Sequence, residues 1–250
     1  MCYPDDARPP DHGRGGQVAS YQDLVLTAAD GNRFAGYSAR AAAPGGAGVV
    51  VLPDVRGLHN FYRSMACRLA EAGLDAVAID YFGRTAGIGV RDDDFDYAPH
   101  REAATPEGIA ADTRAAIDHL RSPEGGSVRH VFTLGFCFGG SNSWRQSAQQ
   151  PDLSGAIGFY GRPELVQPWL KEMKAPLLML VAGADFTPIE EFQRFDKELT
   201  QAGVEHRMVV FEGAPHSFFD RGYTHFQEEC KRAWEEVLGF IEARVALVPT

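Results

Sequence analysis

Gly135-Phe136-Cys137-Phe138-Gly139-Gly140 follows an apolar, β-prone run from Val128 to Leu134 and opens onto a segment that can be helical. Strand, sharp turn and helix form the setting of a nucleophile elbow, Gly-x-nucleophile-x-Gly, here with cysteine where serine usually stands. Such a turn strains the nucleophile's backbone, so the residues two before and two after it must be small. Gly135 and Gly139 meet that need, and Gly140 lets the following helix pack close to its neighbours. The turn holds the Cys137 sulfur clear of the sheet and aims it at the amino end of the helix, where N–H groups and the dipole favour thiolate. The competing reading is a glycine-rich turn with its cysteine buried as a small hydrophobe.

Downstream residues favour the elbow, because triad partners in this architecture follow the nucleophile in the order acid, then histidine. The buried-strand run Pro176 to Ala182 ends in Gly183-Ala184-Asp185-Phe186-Thr187-Pro188. The strand Val204 to Phe211 ends in Glu212-Gly213-Ala214-Pro215-His216-Ser217. Asp185 and His216 thus stand in loops at strand ends, where a carboxylate can orient an imidazole. Glu190 and Asp196 are weaker candidates for the acid, since both fall inside the next helix.

Strand and helix alternate along the chain without internal repeat or long linker. Leu24 to Arg40 reads as an antiparallel hairpin turning at Asp30-Gly31-Asn32. Ala47 to Leu52 and Ala76 to Asp80 read as strands, separated by a helix near Tyr62 to Ala72 that stops at Gly73. Thr105-Pro106 caps and starts a helix through Leu120. Ala156 to Tyr160 is a further strand. Thr187-Pro188-Ile189-Glu190 reads as a capping box for a helix ending near Gly203, and a helix from about Phe226 to Val245 closes the sequence. This pattern predicts an α/β fold with a mainly parallel central sheet and helices on both faces. Ligands bind outside the carboxyl ends of such strands, where Cys137, Asp185 and His216 all fall. Residues 1–16, polar and rich in Pro, Gly and Asp, read as a flexible or loosely docked arm, and residues 17–250 as one domain.

Composition sets limits on partners. A net charge of −10 without a basic cluster argues against nucleic acid or anionic membrane. No run approaches the ~20 apolar residues of a membrane span, and Met1 to Gly16 reads as neither secretory signal nor anchor. Cys2, Cys67, Cys137 and Cys230 form no C-x-x-C pair, and Cys67 and Cys230 fall in helical patterns, so a reducing cytoplasm is expected. Asp92-Asp93-Asp94-Phe95-Asp96 resembles the start of a calcium loop but lacks its sixth-position glycine and twelfth-position glutamate, leaving a solvated acidic loop. His59 reads as a substrate contact, a helix cap or a surface residue. His119, His130, His206 and His225 show no metal-ligand spacing. Phe136, Phe138, Trp144, Phe159, Tyr160, Phe186, Phe218 and Phe219 flank the three loops and read mostly as core or pocket wall.

These motifs, with Leu52-Pro-Asp-Val-Arg-Gly-Leu58 and Asp80-Tyr-Phe-Gly-Arg84, make residues 45 to 240 resemble the dienelactone hydrolase family of α/β hydrolases. The resemblance implies the α/β-hydrolase fold and hydrolysis of enol lactones or other activated esters without metal or organic cofactor. It implies Cys137 as nucleophile, His216 as base and then acid, and Asp185 as the group that orients His216. Backbone N–H groups of Phe138 and Val55 would form the oxyanion hole. Asp54 stands where the family commonly has a glutamate that helps to activate the thiol. Arg84 matches an arginine that binds the substrate carboxylate, and Arg221 lies one residue late for a second.

Sulfur narrows the substrate class. A thiolate attacks readily but also leaves more readily than an alkoxide, so an ordinary alkyl ester would return to the start. Enol lactones, aryl esters and thioesters carry better leaving groups and let acylation proceed; aryl phosphotriesters are a lesser target. The expected partner is a small-molecule ester or lactone, and the expected state a monomer or homodimer. The alternative function is a binding or redox-sensing protein that uses Cys137 as a reactive thiol, which needs neither the acid nor the histidine.

Overall fold

The computed structural model describes residues 9–11, 15–220 and 222–246, in two compact units that meet in sequence at residues 131 and 132.

In the first unit, β1 (Val18–Thr27) and β2 (Arg33–Ala41) form the predicted antiparallel hairpin. Its turn rests on an Asp30 carboxylate that accepts the Asn32 N–H at 3.1 Å and on Gly31 at φ 85°. β2 pairs antiparallel with β4 (Asp75–Ile79), and β4 pairs parallel with β3 (Ala47–Leu52). All residues of β3 and β4 are buried, as a continuous apolar run requires. Helix α1 (Asn60–Glu71) is capped by His59, whose Nδ1 accepts the Phe61 N–H at 3.1 Å. His59 is fully buried, so of its three readings the cap is the one observed. The short α2 (Gly83–Ala86) and α3 (Ala98–Ala103) precede α4 (Pro106–Arg121), where the Thr105 hydroxyl accepts the Gly108 N–H at 3.1 Å as the Thr-Pro signal implies. The described part of the arm is docked. Pro9 and Pro10 are buried, Asp11 lies 3.8 Å from Arg68, and Gly16 packs so tightly that a Cβ would strike the Glu71 carbonyl. The rest of the predicted arm, with Cys2, lies outside the described residues.

The second unit carries β5 (His130–Phe136, which begins at the junction), α5 (Phe138–Gln149), β6 (Gly155–Phe159), β7 (Leu177–Ala182), α6 (Ile189–Ala202), β8 (His206–Phe211) and α7 (Gln227–Ala246). Strands β5 to β8 pair in parallel in sequence order, so parallel pairings predominate in the chain. Two 3₁₀ turns, Pro163–Leu165 and Gln167–Glu172, fill the β6–β7 connection, where the sequence predicted no helix. The capping box at Thr187 is corrected. Pro188 takes the cap position with no side-chain bond, which puts Thr187 one residue too early and Glu190 one turn position too early. Gly203, left-handed at φ 72°, ends α6 as predicted.

Helix α5 is buried along nearly its whole length despite a polar sequence, and several of its polar side chains are bonded to its neighbours. Ser143 and Thr133 hydroxyls meet at 2.8 Å, Ser147 donates to the Ala175 carbonyl at 2.6 Å, and Trp144 Nε1 donates to the Leu178 carbonyl at 3.1 Å. These bonds admit one seating of α5 on its neighbours, and α5 begins at Cys137.

Candidate active site

Cys137 sits between β5 and α5 at φ 55° and ψ −113°, a conformation that costs a non-glycine residue roughly 1–3 kcal/mol. The surroundings hold it there. Its N–H donates to the Phe159 carbonyl at 3.0 Å, and its carbonyl accepts from the N–H groups of Gly140 at 3.0 Å and Ser141 at 3.2 Å. A Cβ on Gly135 would collide with the Gly139 carbonyl, and one on Gly140 with the Phe159 carbonyl. The glycines are therefore required by close backbone approach, as the elbow reading expected. The Cys137 side chain is half-buried, whereas Cys230 is buried, donates to the Phe218 carbonyl at 3.3 Å, and is pushed by burial up to about 12. Burial also raises Cys67, which lies 3.9 Å from the Tyr37 hydroxyl. Both are held as unreactive thiols at neutral pH.

Asp185 follows β7 and His216 follows β8. Asp185 Oδ1 accepts the Phe186 N–H at 2.7 Å, and Oδ2 lies 2.7 Å from His216 Nδ1. A carboxylate only accepts, so the proton between them belongs to Nδ1, and Nε2 is the atom that can exchange protons elsewhere. The Asp185 side chain is 2% exposed and that of His216 17%, so the bond is largely shielded from water. A backbone bond from Ala184 to Ala214, 2.9 Å, ties the two loops together. The weaker acid candidate Asp196 pairs with a different imidazole, His206, at 3.1 Å.

Tyr160, at the end of β6, relates Cys137 to His216. Phe159 holds the Cys137 N–H, and the ring of the next residue, Tyr160, lies 4.9 Å from the His216 ring. Tyr160 has φ 37°, is fully buried, and donates from its hydroxyl to Asp220 Oδ2 at 3.1 Å. A second ring, Phe186, lies 4.6 Å from the imidazole and is 68% exposed. Phe136, Trp144, Phe159, Tyr160, Phe218 and Phe219 are core, as expected, and Phe138 is half-buried. The contacts of Tyr160, Asp220 and Phe186 with this site were not legible in the sequence beyond the placing of aromatics near the loops.

Asp54, Val55 and Arg84 belong to the first unit. Asp54 is buried, accepts the Arg56 N–H at 2.9 Å and lies 3.7 Å from the Arg56 guanidinium; Val55 between them is half-buried. Arg84 grips Asp112 with two bonds of 3.0 and 2.8 Å and reaches Asp30 at 2.6 Å, so its guanidinium is engaged within the protein. Arg221 lies outside the described residues. Asp93, in the acidic loop, pairs with Arg56 at 3.0 Å. Among the described residues no cluster of His, Cys, Asp and Glu could hold a metal ion, and no helix is long and apolar enough to cross a membrane.

The chain is similar to known proteins in sequence and in fold. A protein from Salmonella typhi provisionally named carboxymethylenebutenolidase is 27% identical over 224 residues, covering 83% of this chain and 82% of its own. One of that name from Escherichia coli K12 is 26% identical, over 76% of this chain and 74% of its own. Among solved structures, a dienelactone hydrolase-like promiscuous phosphotriesterase from metagenomic libraries superposes with a TM-score of 0.74 at 20% identity, over 90% of this chain and 99% of that one. A Pyrococcus furiosus esterase superposes with a TM-score of 0.67 at 17% identity, over 90% and 92%. These superpositions show the α/β-hydrolase fold that the sequence predicted. The profile of the dienelactone hydrolase family matches residues 34–245, most of the sequence, and this chain belongs to that family.

Proposed function

We propose that this protein is a cysteine-dependent hydrolase of activated carboxylic esters or lactones that works through an acyl-enzyme. The observation that carries this reading is the His216–Asp185 pair, 2.7 Å apart, beside the end of the strand whose Phe159 carbonyl holds the strained Cys137. In the proposed course His216 Nε2 takes the Cys137 proton and the thiolate attacks the carbonyl carbon. The oxyanion is met by N–H groups at the amino end of α5, with Phe138 first among them, and by Val55. The C–O bond breaks as the imidazolium protonates the leaving oxygen. Water then gives a proton to His216 and attacks the thioester, and the C–S bond breaks to return the thiolate. Asp54 is proposed to assist thiol activation.

The small-molecule substrate is an enol lactone, aryl ester or thioester, with aryl phosphotriesters as a lesser target. Arg84 would bind a carboxylate on the substrate only by leaving Asp112 and Asp30, and Arg221 is proposed as a second carboxylate contact. Turnover of p-nitrophenyl acetate tests the reading: iodoacetamide and Cys137→Ala should each abolish it, while Cys67→Ala and Cys230→Ala should retain most of it. Asp185→Asn should lose orders of magnitude by leaving the imidazole in the wrong tautomer. Full turnover by Cys137→Ala would refute the assignment.

A further inference from the structure

Phe186 combines two properties that seldom coincide. It is a large apolar side chain with 68% of its surface exposed, and its ring lies 4.6 Å from that of His216. The residue is also held firmly. Its N–H is bonded to Asp185 Oδ1 at 2.7 Å, and buried Thr187 and then Pro188 follow it. Restriction of the residue before a proline adds stiffness to this short loop.

The protonation chemistry assigns this ring a partner. His216 Nδ1 faces Asp185, so a proton passed to a leaving group comes from Nε2. The leaving oxygen must come within hydrogen-bond reach of Nε2, and whatever it carries then lies beside the imidazole. Among the described residues two aromatic side chains lie against that imidazole: Tyr160 is fully buried, and Phe186 is exposed. Of the two, Phe186 is the one an incoming group can reach without opening the core.

We propose that Phe186 is a specificity-determining residue whose exposed ring receives a flat, conjugated leaving group, an aryl or enol fragment, as the acyl group passes to Cys137. This inference rests on the hydrolase reading above and deepens it by naming the residue that selects the leaving group. The test compares phenyl acetate with hexafluoroisopropyl acetate, which share an acyl group and have leaving groups of similar acidity, only one of them flat. In Phe186→Ala the ratio of kcat/KM for phenyl over hexafluoroisopropyl acetate should fall about two- to tenfold, the range expected for loss of one aromatic pair, mainly through KM for phenyl acetate. Phe186→Leu, which keeps apolar area without a π face, should fall between the two. Loss on both esters with the ratio unchanged would mean that the ring only shields the His216–Asp185 pair, and would overturn the proposal; so would no change on either ester. A wild type that hydrolyses neither ester would sink the hydrolase reading and this role together. Iodoacetamide-sensitive turnover with an unmoved ratio would sink this role alone.

Discussion

The Tyr160 hydroxyl and the Asp220 carboxylate, both buried, meet at 3.1 Å and join the end of β6 to the loop that carries His216. Asp220 follows His216 by four residues, and the turns between them are tight: Ser217 is left-handed at φ 63°, and the Asp220 and Gly222 N–H groups both bond its carbonyl. Tyr160 thus supports the imidazole through ring contact and through its loop. Tyr160→Phe keeps the ring and removes the bond, worth about 1.5–3 kcal/mol when one partner is charged. It should lower kcat about tenfold or more with little change in KM. A lower melting temperature with kcat intact would reduce Tyr160 to a packing role.

The elbow makes a sharper demand on backbone space. At Gly140 a single methyl would run into the Phe159 carbonyl that holds the Cys137 N–H. The obstruction is backbone on a central strand, so relief requires α5 to lift from β6. Gly140→Ala should cost about 1–3 kcal/mol by overpacking and should lower esterase activity more than stability alone accounts for. Urea unfolding and active-site titration on the same samples measure both. Wild-type stability and activity in the Gly140→Ala variant would show that α5 does not seat as described.

How far the sequence revealed this site follows from the kind of signal each residue left. Cys137 was legible because its strain demands glycines at fixed offsets. Asp185 and His216 stood out because each falls in a loop just after a predicted strand, in the order that follows a nucleophile elbow. Thr105-Pro106 gave a correct helix start, whereas Thr187-Pro188 did not, since Pro188 itself became the cap. Tyr160 at φ 37° left no mark, because a left-handed tyrosine is imposed by its neighbours and not by its own preference. The pairing of Arg84 with Asp112 and Asp30 was equally hidden: the three are separated by 28 and 54 positions in sequence and meet only in the fold.

Asp80 gives the stability of the protein a pH dependence of determined sign. Burial pushes its carboxyl up to about 6, against an ordinary 3.8, although Arg91 lies 2.9 Å away and favours the charged form. The folded state therefore binds this proton more tightly than the unfolded one. The corresponding stability is fully present below pH ~4 and is lost as pH rises through 6. Between pH 4.5 and pH 7 the loss is about 2 kcal/mol. Asp80→Asn combined with Arg91→Met removes the titrating group without stranding a buried charge. The unfolding free energy of wild type minus that of the double variant, from urea titrations, should fall by about that amount across the interval. A flat difference would mean that Asp80 titrates normally.

Arg84 distinguishes a structural cation from a substrate anchor. The Asp112 side chain is fully buried, and burial raises its carboxyl even though Arg84 and Asn32 pull the other way. Burial pulls Arg84 down, but its bonds to Asp30 and Asp112 outweigh this and leave it raised, so the guanidinium stays charged. Arg84→Ala would leave Asp112 buried without its cation. Because the Arg84 side chain is 22% exposed, the cost should be about 2–3 kcal/mol, below the ~3–5 kcal/mol of a fully buried pair. The cost has a sign in pH as well. With its cation gone Asp112 titrates higher still, so the destabilisation should grow as pH rises and shrink as the carboxyl takes up a proton. Asp112→Asn in the same chain should recover part of the loss. For an internal ion pair, turnover of a neutral ester and of a carboxylate-bearing lactone should fall in equal proportion. A strong rise in KM confined to the anionic lactone, with unfolding free energy unchanged, would instead identify Arg84 as the group that binds the substrate carboxylate.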